Sequence, residues 1–361
     1  RSAGAARLGF SFPRDVPKSA AAVRELIATG LLRVEREGRS LRVLDVGAGL
    51  GATTWGLVRA LSAAGGEGLV EATWVDSDAR ALQLGAELAH EAPPTPVRLR
   101  ADPTRPPPDL GDLGVFDVVL AGQLLSELDV EMPAPERLTK HAAMVARWLE
   151  RSVAEGGSIV LVEPALRDRT RHLHRVRDLL AADGATVFAP CLHAAPCPAL
   201  SRDTDWCHED LPVDLPPWLV PVARAAGLRR QGLTFSYLVL RKDGRRLVDL
   251  LRGNQETGGA PTAHLRVVSD AMRSKGKLEA FVCGELSSGA SLVAGRARAM
   301  RLSRDASAEN AAWDRAGRGD ILSVAPAPEL ERTRPTRIGA HTVVELASSV
   351  ARSRSHSGES R

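Results

Sequence analysis

Three observations predict an α/β protein: a parallel, Rossmann-like sheet carrying a cysteine-rich insertion and followed by a small β-rich C-terminal module. Short apolar runs alternate with helical-period segments from about residue 41 onward. A glycine-rich turn stands where the first of those runs hands over to a helix. Three of only four cysteines fall within the 17 residues 191–207. Alternating strands and helices imply a parallel sheet covered on both faces.

The elements read in order as follows. Residues 19–34 predict a helix, with Val23, Leu26, Ile27 and Leu31 at helical spacing. Residues 41–46 form a short apolar strand that runs into Gly47-Ala48-Gly49-Leu50-Gly51, and a helix follows over 52–63. The next strand, 70–75, ends at Asp76; a helix over 79–89 and a third strand over 97–99 come after it. Residues 103–112 are a proline-rich surface turn. A fourth strand covers 116–121, a long helix 136–154 and a fifth strand 158–162. The helix over 166–182 turns Leu173, Val176, Leu179 and Leu180 inward. Strands over 185–189 and 235–241 close the series. In sheets of this kind the last two strands form an adjacent antiparallel pair, so residues 190–234 read as an insertion between them. Beyond 247, the segments 264–269, 278–283 and 299–303 suggest a compact β-rich unit.

These signals divide the chain into an N-terminal helical segment (1–40), a main domain (41–246), a β-rich module (247–330) and a basic, flexible tail (331–361), rich in Ser and Arg.

The 361 residues are 44% hydrophobic and 25% charged, ample for packed cores. No apolar run approaches the roughly 18–20 residues that span a bilayer; the longest candidate, 115–125, is broken by Asp117. No membrane association and a cytoplasmic location are expected, and there clustered cysteines serve as ligands or catalysts rather than disulfides. The net charge of +4 comes almost wholly from arginine, since only five lysines are present. Codon bias and selection for a polyanionic partner both account for that excess.

The turn Leu44-Asp45-Val46-Gly47-Ala48-Gly49-Leu50-Gly51 lets backbone pass close to a ligand at a helix N-terminus. Dinucleotide folds use Gly-x-Gly-x-x-Gly here. The form in this chain, Gly-x-Gly-x-Gly preceded by Asp45, instead resembles class I S-adenosylmethionine-dependent methyltransferases, whose ligand is a cationic amino-acid nucleoside. The candidate cofactor residues are Asp45, Gly47, Gly49, Gly51, Asp76, Asp102 and Gln123. Asp45 suits the ligand's charge, Asp76 the ribose hydroxyls (with Asp78 competing), and Asp102 the adenine amine. Gln123, Ser126 and Glu127 line the mouth. A tight turn with solvated aspartates is the competing reading. The turn 121–124 lacks the Asn/Asp-Pro-Pro-aromatic sequence used in transfer to base nitrogens. The Pro-Cys pairs fall after the sixth strand, the wrong place for a cytosine-attacking nucleophile. No catalytic residue can be named.

The cysteines are spaced Cys191-x5-Cys197-x9-Cys207-x75-Cys283. Structural zinc uses short Cys-x2–4-Cys knuckles, absent here; an iron–sulfur cluster tolerates wider spacing; unligated thiols are the third reading. Pro190, Pro196 and Pro198 stiffen the loop. His193 and His208 are substitute ligands or supporting donors, Trp206 is a candidate shield, and Cys283 would tie the β-rich module to the insertion.

The run Ala189-Pro190-Cys191-x-His193-x2-Pro196-Cys197-Pro198, then Asp205-Trp206-Cys207-His208 and Phe235-Ser236-Tyr237-Leu238, resembles the mitochondrial small-ribosomal-subunit assembly factor family and its bacterial relatives. Lys275-Gly276-Lys277, Cys283 and Arg318-Gly319-Asp320 extend the resemblance, which covers about residues 41–320. It implies a methyltransferase fold that binds S-adenosylmethionine, a 4Fe-4S cluster on the four cysteines (zinc being the alternative), and association with small-subunit rRNA or the ribosomal particle, with or without methyl transfer. One departure is the acidic run Glu209-Asp210-Leu211-Pro212, where the family often has aromatic and basic residues. Arg167, Arg169, Arg171, Arg175 and Arg177, with His172 and His174, and the basic turns 241–246 and 273–277 are candidate phosphate contacts. An active rRNA methyltransferase and a zinc-stabilised small-molecule methyltransferase are the alternative functions.

Overall fold

The computed structural model describes residues 2–36, 38–66, 68–91, 97–102, 110, 113–228, 231–253, 261–288, 291–329 and 334–348. The main sheet contains β1 (Arg39–Val46), β2 (Val70–Val75), β3 (Val97–Asp102), β4 (Phe116–Gly122), β5 (Val153–Pro164), β6 (Thr186–Ala189), β7 (Glu209–Asp214) and β8 (Gln231–Arg241). Its strand order is β3-β2-β1-β4-β5-β8-β6. The first five strands in that row are parallel (Val43 opposite both Ala72 and Val118), whereas β8 runs antiparallel between β5 and β6, with Val160 opposite Val239. This is the class I methyltransferase arrangement.

Alternate residues of the central strands feed two separate cores, as burial on both faces demands. Val43, Val118, Leu120 and Val160 pack beneath α1 (Phe12–Ala22) and α2 (Ala52–Ala63), with Leu82 of α3 (Ala79–Glu91) in the same core. Leu44, Val119, Ile159 and Leu161 pack against α4 (Ala134–Arg151) and α5 (Arg167–Ala182). Each such aliphatic side chain contributes about 1.5–3 kcal/mol.

The N-terminal helix begins earlier than its spacing predicts, and a break at Val23 precedes the short helix Arg24–Ala28. Pro13 sits in the first turn, where a missing N–H costs nothing, whereas Pro17 lies inside the helix and is tolerated there.

The insertion is less separate than expected. Its strand β7 pairs with the first half of β8, Leu211 opposite Leu233, which extends β8 well before residue 235. Leu215, Leu219, Ala223 and Leu233 form a small core there, with Phe10 packed against it.

The C-terminal module is a second sheet. Its spine is the long hairpin of β10 (Lys277–Ser288) and β11 (Ser291–Leu302), flanked by β9 (Ala263–Val267), β12 (Ile321–Ala325) and β13 (Val343–Ser348). The expected flexible tail is corrected by β13, which pairs with β12 and buries Val344 in the module's core. Thr336 and Arg337 of the same tail pair with β11 and Ile338 is buried, whereas residues 331–333 and 349–361, and all of the proline-rich turn except buried Leu110, lie outside the described residues.

Candidate functional site

A cavity of about 280 Å³ opens at the carboxyl ends of the parallel strands, where open α/β sheets bind ligands. Its floor includes Gly47, Gly49, Asp76, Gln123 and Glu163. Gly51 has φ 78°, and a Cβ there would lie 2.0 Å from the Trp74 ring, so both conformation and space demand glycine. Gly49, at φ 52°, has no atom within 4 Å of where its Cβ would stand. The turn therefore leaves open space that a ligand lying on the backbone can fill.

The aspartates take distinct jobs. Asp76 lies on the cavity wall, and its carboxylate accepts the Gly49 N–H at 2.8 Å and the Asp78 N–H at 2.8 Å. Asp78 accepts the Ala81 N–H at the start of α3 and pairs with Arg7. The reading of Asp45 as a residue facing the ligand's charge is corrected. Asp45 is fully buried behind the turn, where its carboxylate accepts from the Thr53 hydroxyl (3.0 Å), the Thr54 N–H (3.0 Å) and the Thr54 hydroxyl (2.7 Å). Burial pushes its pKa up to about 6. It fixes the turn from beneath. Asp102 ends β3 beside Val75 but does not line the cavity.

Gln123 takes a left-handed conformation (φ 58°) and donates to Asp15 at 2.5 Å. That bond closes a roof that the sequence did not reveal, in which Arg7, Phe12, Asp15 and Lys18 of the N-terminal segment cover the cavity. Glu163 is the second residue missed. It is buried at the end of β5, accepts the N–H groups of Leu125 (2.9 Å) and Ser126 (3.1 Å), and burial pushes its pKa up to about 7. An acidic residue ending an apolar strand was the available signal. With Asp15, Asp76 and Glu127 also on the wall, the cavity suits a cationic ligand such as a sulfonium.

All four cysteines line a second cavity of about 30 Å³, walled by Leu173, Pro190, Leu238 and Val268 among others. Cys191 follows β6, Cys197 and Cys207 come from the insertion, and Cys283 lies on β10 opposite Arg266 and Arg296. Burial raises the thiol of Cys207 to about 12, with Cys191 the next cause. Cys197 and Cys283 are also raised, by burial and by their neighbouring cysteines. Cys197, Cys207 and Cys283 so placed resist ionisation unless a cationic centre compensates them, which is the chemistry of a metal-thiolate donor set.

Among the described residues no three His, Cys, Asp or Glu side chains converge closely enough to hold one metal ion. Tetrahedral zinc, with Zn–S bonds of about 2.3 Å, needs sulfurs roughly 3.8 Å apart. The four thiols line one shared space without meeting that condition for a single ion. His193 is buried on the same wall, its Nε2 3.5 Å from Cys283 Sγ, and burial lowers its pKa to about 4. Trp206 is not on this wall; its Nε1–H donates to Ala165 O at 3.1 Å.

Two of the arginines expected to meet phosphate are corrected here. Arg171 is buried and donates to the carbonyls of Ala199 (3.2 Å), Arg202 (2.6 Å) and Asp205 (2.8 Å). Arg177, also buried, donates to Ala195 O at 2.5 Å and to His193 O. Both fasten the cysteine loop to α5. His174 is likewise buried on the cavity wall. Arg241 of the turn 241–246 is buried too, bonded to Ser158, Gly156 and Asp243.

The motif residues outside the cysteines form the seam between the two sheets. Tyr237 donates to Glu25 (3.3 Å), Glu25 pairs with Arg266 (3.0 Å), and Arg266 donates to Pro190 O (2.7 Å) and Gly319 O (2.8 Å). Arg318 reaches His208 O at 3.3 Å. Glu209, first of the acidic run, is buried and pairs with Arg24 at 2.9 Å, so it offers no exposed charge to a partner.

No helix among the described residues is long and apolar enough to cross a membrane. No curated protein matches the chain. Similar solved structures include the plantazolicin methyltransferase BpumL in complex with SAH (9% identity, 64% of this chain and 84% of that one, TM-score 0.37). A SAM-dependent methyltransferase from Methanosarcina mazei is 14% identical over 60% of this chain and 96% of that one, with a TM-score of 0.34. An uncharacterized ACR superfamily protein from Burkholderia thailandensis is 14% identical over 67% and 83%, with a TM-score of 0.39. At these scores the strand order, rather than superposition, carries the fold. The family model described as mitochondrial small ribosomal subunit Rsm22 matches residues 16–313. A match of that extent covers the whole main sheet, the hairpin of the second sheet and all four cysteines, and the chain belongs to the Rsm22 family.

Proposed function

We propose that this chain is a small-ribosomal-subunit assembly factor that binds S-adenosylmethionine in the larger cavity and a 4Fe-4S cluster on Cys191, Cys197, Cys207 and Cys283, and that contacts small-subunit rRNA. The observation that carries this reading is the convergence of four cysteines, from two sheets, on one cavity in a chain with the Rsm22 match. Gly47, Gly49 and Gly51 would carry the cofactor on backbone, Asp76 would accept from the ribose hydroxyls, and Gln123 would border the methyl end, while Asp102, off the cavity wall, is left without a part in adenine binding. Asp45 acts through the turn it holds. When bound, the cluster supplies a cationic iron core that draws the four thiolates together and so links the two sheets. A cytoplasmic location goes with this reading.

Methyl transfer to rRNA is the second reading, supported by Glu163. A carboxyl raised to about 7 on the cavity wall is poised to take or give a proton near neutral pH.

Anaerobic purification with iron, sulfide and zinc analysis tests the first reading. About four irons per chain and a broad band near roughly 400 nm are expected, and Cys197→Ser or Cys207→Ser should lose most of both. About one zinc and no colour would replace the cluster by a zinc site. Wild-type metal content and stability in both variants would overturn any metal reading.

A further inference from the structure

A third cavity, of about 630 Å³, lies on the other side of the Leu124–Glu127 helix from the cofactor cavity. Glu163 lines both. Basic side chains outnumber acidic ones on its wall: Arg137 comes from α4, and Arg167, Arg169, Arg171, Arg175 and His172 come from α5, while the exposed carboxylates of Asp168 and Asp203 lie 3.9 Å from Arg169 and 3.2 Å from Arg171. Arg169 donates to Ser126 O and Arg137 to Leu125 O at 2.6 Å, so two of these guanidinium groups also fix the partition between the cavities. The Arg137 Nε–H is buried with no acceptor. Arg167 and Arg175 are exposed, and neither forms an ion pair among the described residues. His172 is held by His141 (2.9 Å), itself against Asp129 (3.3 Å), and burial lowers its pKa to about 4, so it meets a ligand as a neutral donor or acceptor.

In the other basic segments most of the charged side chains are spent internally. Arg241 and Arg245 share Asp243, Lys277 pairs with Glu279 at 2.9 Å, and Arg273 donates to Asp314 O. The two guanidinium groups without an ion pair, Arg167 and Arg175, stand at one groove with the partly engaged fork of Arg137, in a geometry that matches phosphate oxygens and makes an anion site of nucleotide size. Its position one wall from the cofactor cavity suits a chain of phosphates passing beside that cavity rather than a ligand buried in it.

We infer that this groove binds the phosphate backbone of an RNA strand. The inference rests on the assembly-factor reading and gives its rRNA contact a place: α4 and α5 flank the strand, and Arg167 and Arg175 hold successive phosphates at its rim.

The test is fluorescence anisotropy of a fluorescein-labelled RNA hairpin titrated with the full chain at several KCl concentrations. The variants are Arg167→Ala with Arg175→Ala, both exposed and outside the cores, and Arg273→Ala with Lys275→Ala as a control on the second sheet. Losing two phosphate contacts should reduce the slope of log Kd against log salt by about 2 and weaken binding about 10- to 100-fold near 0.1 M salt. The control should stay within about twofold. An unchanged slope in the groove variant, or an equal loss in the control, overturns the inference. Full displacement of the hairpin by UMP at matched phosphate concentration would make the groove a free-nucleotide site, and displacement by poly-glutamate a site for acidic protein; either overturns it. If wild type binds neither the hairpin nor purified small subunits, the assembly-factor reading falls and the groove with it. If wild type binds and the groove variant matches it, only the groove assignment falls.

Discussion

The cofactor cavity and the cysteine cavity share one sheet but are built by opposite means. The first is made of backbone: a turn from Gly47 to Gly51, held from beneath by Asp45 and from the side by Asp76. Its essential contacts join elements that are near neighbours in the sheet. The second is made of side chains, its four sulfurs delivered by β10 and by a loop that owes its shape to Arg171 and Arg177. A backbone site tolerates change in most side chains and fails at a glycine. A side-chain site fails wherever an anchor is lost, even one that touches no ligand.

The largest expected effect lies at such an anchor. Arg171→Ala leaves the carbonyls of Ala199, Arg202 and Asp205 without their donor, which should cost about 3–5 kcal/mol in urea unfolding and release bound iron. Arg171→Lys should recover only part, because one ammonium cannot reproduce the fork. S-adenosylmethionine affinity in folded protein should change little. A loss below about 1 kcal/mol would mean that the loop holds itself.

An intermediate effect separates the two cavities by pH. Glu163, with its pKa raised on folding from 4.5 to about 7, binds more protons folded than unfolded. Its contribution to stability is therefore complete below 4.5 and is lost as pH rises to about 7. A shift of this size corresponds to about 3 kcal/mol across the window. Glu163→Gln, neutral throughout, should lack that share of the slope in unfolding experiments between those pH values. Asp45, raised to about 6, adds a parallel loss lower in the window in both proteins, so the difference isolates Glu163. Identical slopes would show that Glu163 ionises normally.

The smallest effect on stability belongs to the backbone site. Gly49→Ala meets no atom within 4 Å but keeps φ 52°, costing about 1 kcal/mol. The added methyl stands in the cavity, so calorimetric titration should show S-adenosylmethionine affinity reduced about tenfold, the equivalent of 1.4 kcal/mol. Iron content should be unchanged. Loss of iron together with cofactor affinity would dissolve the distinction between the two sites.

Local features of the sequence reached far into this fold. Short apolar runs and helices of period 3.6 marked the main sheet, and the glycine turn located the cofactor cavity, because those signals are carried by neighbours in sequence. The rarity of cysteine brought Cys283 into the set despite its distance. Contacts between remote segments left no such trace. The roof over 7–18 was hidden behind Pro13 and Pro17, and β13 looked like tail because its pairing with β12 is a tertiary fact. Arg171 and Arg177 were misread for a simpler reason. On α5 the inward stripe that includes Leu173 also includes Arg177 four residues later, and a charged residue at a core position signals an internal partner rather than an external one.

The chain order of the cysteines has a temporal consequence. Three are synthesised within residues 191–207, and the fourth follows only after the seam residue Arg266 and the strand that carries it. During translation the ribosome releases the loop well before β10, so the fourth wall of the cavity is absent while the first sheet is already complete. A filled centre therefore certifies that residue 283 has been made and that the second sheet has folded onto the first. Truncated or stalled chains would expose three unpartnered thiols, a mark that distinguishes them from finished protein.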